Sequence, residues 1–367
     1  MVQIIQICRL IGMPLLKPLI FLASFIIWHF SVTIVLASSG SYIAGQFAEK
    51  EGDFRNASYY YIDLISRGDS EREIITRSII YAALAGNFEI ATAISRKIDD
   101  LQLNYPVANL IIFAEAVKKR EKSEILRAFE RHKKNFPEIF KIVMEFWILI
   151  IDNKKAEAFS LINSISINNE AQLQIINYNQ LLAYVYFNEY EQAKTLYENM
   201  EFSNFLFDSE SALALAQYFQ KYKESGVSES IVSKAWSASE NAYYVEAFKN
   251  KLSNGGVSDV IRITPYKQIA EVFFRWSQSI QRAEQNIINK SFYLSLANFA
   301  DPTSSFLKFN LATILSDSGN YGLSKEILDT FSNDDVFFID SIVENSFAIE
   351  QLDSNGLALE YIQQFII

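Results

Sequence analysis

The chain of 367 residues is 50% apolar and 14% aromatic, with only 12 glycines and 6 prolines. It can therefore bury a large core, and its composition argues against a disordered chain and against a β-rich fold with many tight turns. A formal net charge of −10 argues against general nucleic-acid binding, and a single cysteine, Cys8, rules out an internal disulfide.

The N-terminal segment contains an uncharged apolar run at 18–36, preceded by Arg9 and Lys17. A helix of this length, at 1.5 Å per residue, is close to the ~30 Å thickness of the hydrocarbon core of a bilayer. Basic residues before the run predict a cytoplasmic N-terminus and an exported body. A small-residue cleavage motif ends at Ala37, so 1–37 is predicted to be a signal peptide or an uncleaved membrane anchor. For a bacterium, the body would then lie in the periplasm, free or anchored to the inner membrane.

A short motif with a 34-residue period follows. It begins with Gly, Asn or Asp, has an aromatic residue or Asn two positions on, and a small residue three positions after that. Glycine or Asn can end one helix in a left-handed conformation, and the small residue allows two helices to approach closely. The copies begin Gly52-Phe54-Ala57, Gly86-Phe88-Ala91, Asn188-Tyr190-Ala193, Gly319-Tyr321-Ser324 and Asp353-Asn355-Ala358.

A helix, a short turn and a second helix, repeated at 34 residues, resemble the tetratricopeptide repeat (TPR) family, as found in exported bacterial proteins. The resemblance implies an all-α solenoid of stacked antiparallel helix hairpins that binds protein partners. We predict turns within two residues of each motif's first residue, and burial of Ala57, Ala91, Ala193 and Ala358. The Gly-rich break at 253–259 predicts two arrays, at 38–255 and 256–367.

The pattern weakens in the middle of the chain. Arg120 stands where a turn glycine belongs, and the next glycine after Asn188 that fits a turn, Gly226, is 38 residues away instead of 34. Another α-solenoid with longer repeats is the alternative.

Catalytic chemistry has no candidate residues in this sequence. The histidines are His29 and His132, and Cys8 lies in the leader, so neither a Cys/His metal site nor a nucleophile–base pair can be assembled. No phosphate-binding glycine loop occurs. We therefore predict a protein that is not an enzyme and carries no metal or cofactor.

Partner binding is predicted on the concave face that the first helix of each hairpin lines in the TPR family. Aromatic residues and arginines are the types that anchor protein interfaces. The positions that the resemblance places on this face are Tyr42, Gln46, Lys50, Trp147, Tyr178, Tyr186, Arg275, Arg282 and Phe309. Trp147 lies in a stretch that is apolar nearly all round, so a core position is the alternative for it.

A basic segment at 118–134 stands out in this acidic chain. It predicts either a solvated helix face or a patch that binds an anionic surface. The patch would comprise Lys118, Lys119, Arg120, Arg127, Arg131 and Lys134. The alternative function is accordingly a membrane- or envelope-associated structural protein.

The C-terminal residues 357–367 have an apolar face with a helical period. A terminal hairpin has no neighbour to cover it. We predict that Ile362, Ile366 and Ile367 leave apolar surface exposed, available for self-association or for a partner.

Overall fold

The computed structural model describes residues 39–165, 169–200, 202–207, 209–238, 243–253, 262–280, 287–352 and 355–365. Within these ranges all regular secondary structure is helical and no strand occurs, which confirms the all-α prediction. The predicted leader 1–37 lies outside the described residues. Among the helices that are described, none is long and apolar enough to cross a membrane.

The described ranges contain nineteen α-helices. Two short 3₁₀ helices, Lys133–Asn135 and Asn204–Phe207, lie between them. The α-helices are α1 (39–50), α2 (Phe54–Ser66), α3 (Arg72–Leu84), α4 (Phe88–Asp100), α5 (Pro106–Lys119), α6 (Lys122–His132), α7 (Glu138–Ile151), α8 (Lys155–Asn163), α9 (Glu170–Tyr186), α10 (Tyr190–Asn199), α11 (Glu210–Lys221), α12 (Ser225–Ala238), α13 (Tyr243–Ser253), α14 (Pro265–Ser279), α15 (Ile287–Ala300), α16 (Ser305–Asp317), α17 (Tyr321–Leu328), α18 (Phe338–Leu352) and α19 (Asn355–Gln363).

Two compact units, 1–78 and 79–367, divide the chain, and the boundary falls inside α3. In the first unit, Gly45 of α1 faces Tyr61 of α2 so closely that an added Cβ would lie 3.2 Å from the phenol ring. The Tyr61 hydroxyl donates to Glu49 at 2.8 Å, and the Ser78 hydroxyl donates to the Tyr61 carbonyl at 2.9 Å. These contacts hold the first hairpin and the start of α3 together.

In the second unit, short turns join successive helices into antiparallel hairpins. Their left-handed residues are Gly86, Arg120, Asn153, Asn188 and Lys223, at intervals of 34, 33, 35 and 35 residues. At Arg120 the backbone makes the paired hydrogen bonds of a Schellman turn, from Arg120 to Val117 and from Glu121 to Ala116, both at 3.0 Å. The repeat therefore continues through the segments where the sequence pattern weakened, and the fourth of these intervals ends at Lys223, not at Gly226.

The predicted turns and small-residue contacts are confirmed where they can be seen. Positive φ angles occur at Gly52, Gly86, Asn188 and Gly319. The turn predicted at Asp353 lies outside the described residues. The four predicted alanines are buried, because they lie where paired helices approach; they are Ala57, Ala91 and Ala193, each 0% exposed, and Ala358, 8% exposed.

Helices α14 and α15 pack back onto earlier hairpins of the same unit. Helix α14 lies against α7 and also contacts α5, while α15 lies against α5. Helix α13 lies against α18, with the rings of Tyr244 and Phe337 stacked at 4.4 Å. The break predicted near 255 falls on residues that are not described, so the division into 38–255 and 256–367 stays a prediction.

Candidate partner-binding surfaces

The predicted concave face of the middle hairpins is covered by the chain's own helix α14. Trp147 is 0% exposed, and its indole Nε1 donates to Asn179 Oδ1 at 2.8 Å. Tyr178 is 2% exposed and helps to line a small cavity against α14. The prediction that Trp147 and Tyr178 face a partner is therefore wrong for this structure. Trp147 is buried in the core, the alternative given for it. The ring of Tyr178 packs against those of Phe202 and Phe207.

A buried polar cluster holds α14 in this position. Ser209 Oγ donates to Glu271 Oε1 at 2.8 Å, and Ser211 donates to the same carboxylate. Arg275 pairs with Glu271 at 3.1 Å and donates to the carbonyl oxygen of Leu206 at 3.0 Å. Arg275, predicted to contact a partner, instead links α14 to the 3₁₀ helix Asn204–Phe207.

Aromatic rings complete the contact between α14–α15 and the earlier helices. Phe113 of α5 and Phe273 of α14 are both nearly fully buried, with ring centroids 6.0 Å apart. Phe88 of α4 stacks on Phe299 of α15 at 4.0 Å. Burying large aromatic side chains contributes roughly 1.5–3 kcal/mol each, so α14 and α15 are integral to the core of this unit.

The predicted anionic-surface patch is largely neutralised by the protein's own acids. Arg127 pairs with Asp99 at 3.0 Å and with Glu124 at 2.6 Å, and Arg131 pairs with Asp99 as well. Burial alone would raise the pKa of Asp99, but Arg127 and Arg131 more than offset it and lower that pKa. These arginines link α6 to the end of α4.

The rest of the patch is also engaged within the protein, apart from the exposed Lys134. Lys119 pairs with Glu115 at 2.6 Å. Lys118 Nζ lies 4.4 Å from the ring centroid of Phe299, and the Arg120 guanidinium lies 5.6 Å from that of Tyr266. These contacts favour a structural role for the segment over recognition of an anionic surface.

In the first unit, the predicted groove residues lie on the surface or are partly buried. The Gln46 amide donates to the Tyr42 hydroxyl at 2.9 Å, and Gln46 and Lys50 are exposed. Binding through Tyr42, Gln46 and Lys50 stays a prediction.

The remaining predicted groove residues differ in environment. Tyr186 is 42% exposed. Phe309 is half-buried, and its ring stacks on Phe337 at 5.4 Å. Arg282 lies outside the described residues.

The sequence reasoning missed an apolar stripe on α18. Ile339, Val343 and Phe347, which we call the α18 stripe, are 50%, 52% and 44% exposed. They are spaced four residues apart and so share one helix face. The sequence could have indicated Val343 as a groove position. It lies ten residues before the predicted turn at Asp353, just as Tyr178, a predicted groove residue, lies ten residues before Asn188.

A separate cavity of about 520 Å³ opens between α12 and α13. Trp236, half exposed, forms one wall, and Gln220, Glu229 and Lys249 supply polar groups. In the described part of the chain, no group of three or more His, Cys, Asp or Glu residues could hold a metal ion.

Antiparallel helix hairpins recurring every 33–35 residues, with left-handed turns and buried small residues, define a TPR-like helical-repeat protein. No family model matches the sequence, and no curated protein is similar to it. Among solved structures, the chain is similar to the crystal structure of the P58(IPK) TPR domain, with 13% sequence identity and a TM-score of 0.29. The similarity covers 89% of this chain and 93% of that one.

Proposed function

We propose that this protein is a non-catalytic scaffold that binds a protein partner. The observation that carries the proposal is the α18 stripe, a row of large apolar side chains on a folded helix of a repeat array. Exposed apolar patches in folded proteins mark interaction sites, and stacked hairpins offer extended surfaces of this kind.

Partner binding is tested by affinity capture. The full-length chain, tagged and purified in mild detergent at low salt, should retain one or a few proteins in near-stoichiometric amounts after washing. The same capture is carried out with a chain carrying Phe347→Ser, which changes one exposed side chain of the α18 stripe, for comparison. Capture of no protein by the unaltered chain would count against a scaffold.

We further propose that the body is exported and stands in the periplasm, free or held on the outer face of the inner membrane. The support is the apolar run at 18–36 behind Arg9 and Lys17, because basic residues before such a run favour a cytoplasmic N-terminus.

A reporter fusion tests the export. Alkaline phosphatase joined after residue 60 should be active in a bacterial host, because the enzyme needs the periplasm to form its disulfides. Replacing two apolar residues of the run, Phe25 and Ile26, by Lys should abolish that activity. An inactive fusion in the unaltered sequence would refute the export.

A further inference from the structure

The α18 stripe is the outward face of a helix whose other faces are packed. Ile342, Asn345 and Ile349 of the same helix are 7%, 0% and 6% exposed. The helix packs against α17 and α19, and also against α13 and α16. The backbone under the stripe is therefore already held in a helix, and the stripe is available to a partner without refolding.

On α7 and α9 the equivalent positions are covered. Val143 and Tyr178 each lie ten residues before a left-handed turn, at Asn153 and Asn188, and Val343 lies ten before the turn predicted at Asp353. Val143 and Tyr178 are 2% exposed and line a narrow cavity together with residues of α14. Helix α14 thus covers this position on α7 and α9, whereas the same position on α18 is exposed.

Helix α14 shows which shape of ligand fits such a helix face. Helix α14 presents Val272 to the cavity that it shares with Val143 of α7 and Tyr178 of α9. A helix with an apolar face therefore fits against the first helices of these hairpins.

The segment of the chain that contains the α18 stripe is acidic. Between residues 326 and 367 there are nine Asp and Glu residues and no Lys, Arg or His. Burial raises the pKa of Glu344, next to Val343 in the chain, and the nearby Asp317 carboxylate adds to the increase. Glu350, one turn after Phe347, is exposed. A cation beside the stripe would relieve the repulsion between these carboxylates.

We propose that the α18 stripe is the docking site for a basic amphipathic helix of a partner protein. The apolar face of that helix covers Ile339, Val343 and Phe347, and its Lys or Arg side chains lie beside Glu344 and Glu350. This inference rests on the proposed scaffold function and names the surface and the chemistry of the partner.

A designed helix tests the proposal directly. The probe is a fluorescent peptide of about 18 residues, long enough to form a helix, with Leu at helical spacing and Lys elsewhere. We expect saturable binding to the full chain by fluorescence anisotropy, weaker at high salt. A peptide of the same composition with its apolar spacing scrambled, and one with Glu in place of Lys, should each bind at least tenfold more weakly.

Variants locate the site. Val343→Ser with Phe347→Ser should weaken peptide binding about tenfold or more, and Glu350→Lys about threefold. The matched control, Ile43→Ser with Phe47→Ser, removes apolar side chains that are both 65% exposed on α1 and should leave binding unchanged. All variants should keep the helical circular dichroism and melting temperature of the unaltered chain, because the substituted side chains are exposed.

Three results would overturn the assignment. These are equal binding of the scrambled peptide, undiminished binding to the α18 variant, or a dimer in light scattering that the α18 variant dissociates. The last would make a second copy the occupant. If the chain with Val343→Ser and Phe347→Ser still captures the same partners, the scaffold function stands and the α18 stripe is not the docking site. If the unaltered chain captures no protein but binds the peptide, the α18 stripe binds a basic helix and the scaffold function is wrong.

Discussion

At the scale of single residues, the turns depend on a backbone conformation more than on a residue type. The left-handed position is held by glycine at Gly86 and Gly319 but by Arg120, Asn153 and Lys223 elsewhere. A side chain costs roughly 1 kcal/mol in that conformation. The surrounding helix contacts offset this cost. A search for turn glycines therefore treated Arg120 as a departure from the pattern and missed Lys223.

Replacing Lys223 by glycine should stabilise the protein. Lys223 has φ 64° and an exposed side chain, so glycine removes backbone strain and little else. We expect the free energy of unfolding to rise by about 0.5–1 kcal/mol, measured by urea denaturation. The converse change, Gly86→Ala at φ 79°, should lower it by about 1 kcal/mol. If both substitutions change stability in the same direction, the conformational explanation fails.

A buried carboxyl at Asp340 should make stability depend on pH. Burial raises its pKa to about 6, and backbone amides, including that of Tyr244, offset this only in part. An unfolded aspartate titrates near ~3.9, so the folded chain binds more protons between about pH 4 and 6. This group's contribution therefore favours the fold below about pH 4 and is lost as the pH rises through 6.

Asp340→Asn should accordingly raise the free energy of unfolding at pH 7 by about 1–3 kcal/mol. It should change stability little at pH 4, where the native carboxyl is protonated. Thermal melts at the two pH values measure the difference, with the exposed Glu360→Gln as control. An equal effect of Asp340→Asn at both pH values would show that its charge is not the cause.

At the scale of helices, ion pairs link successive hairpins along one side of the turns. Lys122 pairs with Asp152 and Lys194 with Glu224, both at 2.6 Å, and Lys155 pairs with Glu189. In each pair the lysine lies near the start of the second helix of one hairpin, and the acid lies at the turn of the next. These pairs orient neighbouring hairpins, although each exposed pair contributes only about 0–1 kcal/mol.

The pair between Glu271 and Arg275 should matter more, because it is largely buried and both side chains also bond to residues 206–211, outside α14. The two side chains are 13% and 14% exposed. Glu271→Ala leaves Arg275 without its carboxylate and also removes the acceptor of Ser209 and Ser211. We expect a loss of about 3 kcal/mol in the free energy of unfolding by urea denaturation.

An exposed pair provides the comparison for Glu271→Ala. Lys141 and Glu138 are paired at 2.7 Å on the surface of α7, with Glu138 74% exposed. Lys141→Ala should cost less than about 1 kcal/mol. Similar losses for the two variants would mean that α14 is held by its apolar side alone.

At the scale of the whole molecule, charge is distributed unevenly. The last 42 residues contain acids and no base, whereas bases of the segment at 118–134 are paired with acids of their own and of neighbouring helices. The acidic segment includes the exposed apolar side chains of the α18 stripe. The contrast favours a basic protein partner near α18 over an anionic surface near α6.

Reversing the charges of Arg127 and Arg131 should therefore affect stability and not surface binding. Substitution of both by Glu places them against Asp99 and Glu124, and we expect a loss of about 1–2 kcal/mol. Sedimentation with phosphatidylglycerol vesicles at about 0.15 M salt should be the same as for the unaltered chain. Vesicle binding that is abolished by the reversal, and not by Lys134→Glu, would restore the anionic-surface patch.

The sequence by itself determined the helical class, the hairpin repeat and several of its turns. These follow from contacts within about 34 residues, such as the motif that begins at Gly86 and the small residue Ala91, which only a neighbouring helix has to satisfy. Only the tertiary structure decided which faces are covered. Val143 is buried because α14, more than a hundred residues later, returns to α7, and no local pattern specifies a contact over that distance. The α18 stripe has the same helical spacing and stays exposed, because none of the described helices covers it.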